Sequence, residues 1–260
     1  SIINFLKKGK LRIPTKLLGR EIWIKYIIII LNNICKNILV VAAHPDDEVL
    51  GCGGTIAHHA AMGDRVNIVI LAEGATSRNG PDPDFELETL RAAALNAAEI
   101  LGAEPPLLLG LPDNRLDSMP RLDVIKKVEE ALAECSPDVV YTHHGGDLNI
   151  DHQIINRAVL TATRPMNKFN VKSIRTFEVL SSTEWNFQDS KDNIFKPNLF
   201  IDISKEIEKK IKSFLCYKSE IMTFPHPRSK DAIKCLAKLR GSTAGLKAAE
   251  AFCIIKSVEI

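Results

Sequence analysis

His44-Pro45-Asp46-Asp47-Glu48 puts one imidazole and three carboxylates into five residues, directly after the apolar run 38–43 and before Val49-Leu50-Gly51-Cys52-Gly53-Gly54. Carboxylates held so close to a buried segment cost several kcal/mol unless hydrogen bonds or a cation compensate them. A divalent metal is the simplest compensation. His44 and Asp47 are three residues apart, so one turn of loop or helix aims both at a single point and leaves Asp46 for another role. The competing reading is that Asp46 or Asp47 only caps the helix that follows; the two roles do not exclude each other.

A second cluster supplies the missing ligand. In Tyr141-Thr142-His143-His144-Gly145-Gly146-Asp147-Leu148-Asn149-Ile150-Asp151-His152, a strand-like run ends in histidines, glycines and acids, and helical pattern resumes at about Asp151. His152, on the first turn, would point to the same sheet edge as His44. Two histidines, one aspartate and an open position match the catalytic zinc pattern, in which water takes the vacant place. Zinc is the first choice of metal and iron(II), which also accepts two histidines and a carboxylate, the second. His58 and His59, beside Ala57 and Ala60 in a helical stretch, read as surface or packing residues.

The first motif in its strand-end context, with Asp151-His152 about a hundred residues on, resembles the LmbE or PIG-L family of zinc-dependent de-N-acetylases. The resemblance covers most of residues 37–164. A further stretch, through Tyr217-Lys218-Ser219-Glu220, Phe224-Pro225-His226-Pro227-Arg228-Ser229 and Ala249-Glu250-Ala251-Phe252, is similar to the C-terminal part of bacterial members that act on sugars. The resemblance implies that His44, Asp47 and His152 bind zinc and that Asp46 is the general base. It also implies a substrate that is an N-acetylated sugar or glycoconjugate, a small molecule or lipid-linked.

Amide hydrolysis needs a strong nucleophile at neutral pH, stabilisation of an oxyanion, and a proton for the departing amine. Bound zinc supplies the first two, and Asp46 beside its water would take a proton and later hand it to the amine. One feature departs from the family pattern: many members carry His-x-x-His in the second motif, and here the first position is Asn149. Asparagine donates a neutral hydrogen bond but delivers no proton. Either His143 or His144 replaces the imidazole, or Asp46 performs all proton transfer; strand alternation sends the two histidines to opposite faces, and His144 is the one expected at the site. Asp151 is expected to hold a neighbouring histidine from behind. The alternative function is a catalytically impaired metal- or sugar-binding protein on the same fold.

The elements that must position these groups alternate. Strand patterns at 66–71, 107–111 and 139–142 are separated by helical patterns at 86–101 and 121–134, with another helix running through Arg164. This predicts a single α/β domain over 37–260, Rossmann-like, with a mostly parallel sheet and helices on both faces. Later, strands are expected at 175–180 and 199–203 and a Lys/Glu-rich helix from near Ser204, its N-cap. Ligands in such sheets bind at the carboxyl strand ends. Arg78, Asp113 and Arg115, on loops that leave those ends, are candidates for substrate contact or equally for ion pairs tying the loops together; His226 and Arg228 lie on a proline-stiffened loop that either closes over the substrate or rigidly connects two helices.

Residues 1–36 form a separate basic segment with eight Lys/Arg and one acid, leaving 26 basic and 31 acidic residues, a net of −5, in the rest. That balance does not suggest a nucleic-acid partner. The apolar stretch 22–31 is too short to cross a bilayer, which takes about 20 residues, and lacks a cleavage pattern; contact with an anionic membrane surface is the weaker expectation beside a tail, a packed helix or the remnant of an upstream region. The six cysteines show no close pairing and read as reduced, buried residues of a cytoplasmic protein. The turn Gly51-Cys52-Gly53-Gly54 lacks the spaced third glycine of a dinucleotide site, and the acids before it would repel a pyrophosphate. Subunit count, including a homo-oligomer, is left open.

Overall fold

A strand apolar at every position, like 38–43, has to be covered on both faces. The computed structural model describes residues 35–74, 83–166, 168–187 and 193–259. In it the chain runs β1 (Asn37–Ala42), α1 (Asp47–Met62), β2 (Arg65–Ala72), α2 (Pro83–Leu101), β3 (Leu107–Leu111), α3 (Arg121–Cys135), β4 (Val139–His143), α4 (Ile150–Ala162), β5 (Ser173–Phe177), β6 (Leu199–Asp202), α5 (Ile207–Phe214), α6 (Lys230–Thr243) and β7 (Ala249–Ser257). The sheet order is β3-β2-β1-β4-β5-β7-β6. The first five strands are parallel; β7 is antiparallel to both β5 and β6.

Alternate residues of the central strands enter two cores. Ile38, Val40 and Ala42 pack with Val49, Ile56, Leu90 and Phe214 on the face covered by α1, α2 and α5. Leu39 and Val41 pack with Val124, Val128, Ile155 and Val159 on the face covered by α3 and α4. From β1 the sheet proceeds through β2 and β3 on one side and β4 and β5 on the other. The connections after β1 and β4 therefore diverge, opening a crevice at their carboxyl ends.

Helix α1 is broken at Cys52, whose φ of −148° and ψ of 24° are non-helical. The break is filled from the C-terminal half of the chain. Gly54 and Thr55 donate their backbone N–H groups to the Glu250 carboxylate, at 2.9 and 2.6 Å. Lys210 Nζ donates to the freed Leu50 carbonyl at 2.8 Å and pairs with Glu250. Gly51 allows the close approach: a Cβ there would run into the Phe177 ring.

Several expectations need correction. The helix expected from Ser204 starts at Ile207, and Ser204 Oγ bonds Asp202 and the Ala248 carbonyl instead of capping it. The strand expected at 175–180 ends at Phe177, because residues 179–183 turn back through bonds from Ser182 and Thr183 N–H to the Val179 carbonyl. Helix α6 and strand β7 were not assigned from the sequence. Of the cysteines only Cys52 is buried, donating to the Glu48 carbonyl; Cys35 and Cys235 are exposed and the others half-buried. The basic segment, apart from residues 35 and 36, lies outside the described residues, and with it the proposed membrane contact. Among the described residues no helix is long and apolar enough to cross a membrane.

Candidate active site

The loop between β1 and α1 is bent by Asp46, whose φ of 114° lies in the left-handed region. For a non-glycine residue this costs about 1–3 kcal/mol, which the surrounding structure must support. Glu48 does so, accepting the Asp46 N–H through Oε2 at 3.1 Å while Oε1 accepts the Tyr217 hydroxyl. Asp46 makes no side-chain cap bond to α1. Asp47 turns inward, accepting the His44 N–H at 2.9 Å. Neither carboxylate is explained by helix capping.

Helix α4 carries His152 to the same point. His44 Nδ1 lies 3.2 Å and His152 Nε2 3.1 Å from Asp47 Oδ2. One ligand atom from each of the three residues lies within 4.8 Å of the others, so the trio could hold a metal. Asp47 Oδ1 is buried with no hydrogen-bond partner among the described residues. Two imidazoles and a carboxylate with an unsatisfied oxygen form a donor set that fits a divalent cation.

Both imidazoles have carboxylates behind them, the usual way of fixing ring orientation at a metal. His44 Nε2 faces Asp113 Oδ1 at 3.1 Å and Asp151 Oδ2 at 3.2 Å. Asp151 is anchored by the N–H groups of Asn114 and Leu116. His152 Nδ1 lies 3.1 Å from Asp147 Oδ1, a charge contact off the line of a hydrogen bond. Asp147 in turn accepts the hydroxyls of Ser182 and Thr183.

Titration follows this packing in the metal-free protein. Burial would lower the His152 pKa, but Asp47 and Asp147 outweigh it and raise it to about 9. His44 is likewise held well above its ordinary value: burial is overcome by Asp113, Asp151 and Asp47. Burial would raise Asp47, and the adjacent His152 and His44 keep it well below the carboxylate range. Asp46 is pushed well above that range by burial, with Arg228 opposing and Asp47, Glu220 and Glu48 reinforcing. Burial raises Glu48 to about 7 and lowers His143 to about 3.

The remaining residues separate clearly. Of the histidine pair it is His143, not His144, that faces the cluster, stacked on the His152 ring at 3.8 Å and accepting the Ala43 N–H through Nε2 at 2.8 Å. His144 is on the other side of the strand, its Nε2 on the Asn193 carbonyl and its ring edge-on to Phe195. Asn149 is the N-cap of α4, accepting the Asp151 N–H, and its amide donates to Asn114 Oδ1. Asp113 is buried at His44, and Arg115 is exposed. Arg228 reaches Asp46, while His226 Nδ1 accepts the Arg228 N–H. Arg78 lies outside the described residues. Asp147, Glu48 and Glu220 were given no role from the sequence; the only signal for Asp147 was an acid beside two glycines just ahead of a helix.

Fold and site together define an α/β protein with a His/Asp cluster that could hold a metal at the switch point of its sheet. The family model of the GlcNAc-PI de-N-acetylases, PIG-L, matches residues 39–163. An Escherichia coli K12 protein described as an uncharacterized deacetylase, YaiS, is 32% identical over 134 residues, covering 50% of this chain and 69% of its own. A Bacillus cereus protein described as a probable N-acetyl-α-D-glucosaminyl L-malate deacetylase is 26% identical over 193 residues, 71% of this chain and 84% of that one. The chain belongs to the PIG-L family. Its fold is shared by the N,N'-diacetylchitobiose deacetylase of Pyrococcus horikoshii (TM-score 0.71, 20% identity, 94% and 95% of the two chains). It is shared also by GalB, a 4-carboxy-2-hydroxymuconate hydratase of Pseudomonas putida (TM-score 0.69, 21% identity, 86% and 98%). The fold alone thus does not fix the reaction.

Proposed function

We propose that this protein hydrolyses the acetamide of an N-acetylated sugar or glycoconjugate, releasing acetate and leaving a free amine, with a metal held by His44, Asp47 and His152. The observation that carries the reading is the convergence of His44 Nδ1 and His152 Nε2 on Asp47, whose Oδ1 is buried and has no hydrogen-bond partner among the described residues, with Asp46 next in the chain. Sugar deacetylation is supported by the description of the Bacillus cereus relative. When bound, the metal, zinc first and iron(II) second, polarises the amide carbonyl and lowers the pKa of a water to about 7.

The chain's own residues do the rest. Asp46 takes the proton of the attacking water and returns it to the departing nitrogen. Asn149 is spent on capping α4, His144 on the Asn193 carbonyl and buried His143 on the Ala43 N–H, so both transfers fall to Asp46. Asp113, Asp151 and Asp147 keep the two imidazoles turned toward the metal. Arg115, exposed where the β3 loop leaves the sheet, remains for substrate contact.

The test is acetate release from N-acetylglucosamine derivatives by the protein as purified, after chelation, and after zinc or iron(II) is restored, with metal measured on the same sample. Release that disappears with the chelator and returns with one metal is expected. Undiminished release after chelation would overturn the metal's role; stoichiometric metal with no turnover on any sugar would favour a binding protein on the same fold.

A further inference from the structure

We propose that Arg228 is a positioning residue for Asp46, held in register by Glu220 and Ser181, and not a substrate anchor. The proposal rests on the reading of Asp46 as the base. Arg228 Nη1 lies 3.2 Å from Asp46 Oδ2 and donates to Glu220 Oε2 at 2.6 Å, while Nε donates to Ser181 Oγ at 2.8 Å. Asp46 and Glu220 are each 2% exposed, so one guanidinium stands between two buried carboxylates.

Two hydrogen bonds and one charge contact from one rigid planar group fix its orientation as well as its place, which a lysine could not do. The backbone around it is fixed too. The Arg228 N–H donates to His226 Nδ1, its carbonyl accepts the Met222 N–H, and Ser229 caps α6. With Oδ2 of Asp46 turned to Arg228, Oδ1 is left to meet the proton. Glu220, which accepts from the same Nη1, keeps Arg228 in place. The stretch 217–228 thereby controls both halves of Asp46: its backbone through Tyr217 and Glu48, its side chain through Glu220 and Arg228.

The test uses the metal-loaded full chain and the variants R228M, R228K, E220Q and R228M/E220Q. R228M should lower kcat about ten- to a hundredfold, with KM within about twofold and metal content unchanged. R228K should recover part of the loss. E220Q should lose less in the same direction, and the double variant should be no worse than R228M. A rise in KM with kcat preserved would overturn the proposal and make Arg228 a substrate anchor. In parallel, urea unfolding of R228M, D46N and R228M/D46N reads the pair without turnover. Non-additive midpoints support the clamp and additive ones overturn it, even if the wild type releases no acetate and the acetyl-sugar reading falls.

Discussion

Two clusters of buried charge lie along α1, one at its start and one at its break, and they are finished differently. At the break, Lys210 Nζ meets Glu250 and the Leu50 carbonyl, and both Glu250 oxygens accept backbone N–H groups. At the start, Asp47 Oδ1 has no hydrogen-bond partner among the described residues and Asp46 sits in a left-handed conformation against the Arg228 guanidinium. Burial of charge is common to both and says little about function. The difference is that the cluster at the break has its charges satisfied by the fold, whereas the one at the start keeps a buried carboxylate oxygen unsatisfied among the described residues, the pattern expected of a functional site.

Four perturbations would break or sharpen that contrast. The largest effect is expected at the start of α1, where Asp46→Asn should cut turnover by about 10²–10⁴ and retain stoichiometric metal. It should not lower the unfolding midpoint of the metal-free protein. Burial raises the Asp46 pKa on folding, so above that pKa the ionised carboxylate opposes folding and its removal relieves the cost. At the break Lys210→Met should behave in the opposite way, costing about 3–5 kcal/mol in urea unfolding by stranding Glu250, while per-molecule activity of the folded fraction persists. Equal loss of metal from this variant would erase the distinction between the clusters.

Smaller effects test the supports. Asp147→Asn should weaken metal binding about 10–100-fold, measured by competition with a chromogenic chelator, since it removes the carboxylate behind His152. The smallest is a pH slope. The His152 pKa lies at about 9 in the metal-free protein, so metal must displace a proton below that value. Affinity for zinc should therefore rise about tenfold per pH unit for each proton displaced, flattening as pH passes the His152 pKa. A flat titration from pH 6 to about 8 would mean that His152 is not a ligand.

The part of the molecule that repeats was legible in its sequence, and the part that closes it was not. Strands β1 to β4 announce themselves as apolar runs between helical patterns, and His44, Asp47 and His152 fall where those runs stop. After Phe177 the signals weaken. Val179 and Leu180 extend the apolar run, but the chain turns over 179–183, where Thr183 Oγ1 accepts the Val179 N–H. Strand β7 contains Glu250, an acid at a buried position that only the break in α1 explains. Similarly, alternation separated His143 from His144 but could not say which side faced the His44–Asp47–His152 cluster. Nor could it show that Asp113 and Arg228 would be taken up by His44 and Asp46, since these contacts join loops over 60 residues apart in the chain.

The helix break has a consequence for how the protein is made. Gly54 waits for a carboxylate 196 residues further on, and Glu48 for a hydroxyl 169 residues further on. During synthesis the loop with the ligands leaves the ribosome early, at a time when nothing yet exists to fill the gap in its helix or to hold Asp46 in its strained turn. Contacts of such separation are slow to form, and partly folded chains with exposed apolar surface aggregate. A nascent chain that stalls before β7 carries His44, Asp47 and His152 and lacks the strand that completes the helix bearing Asp47.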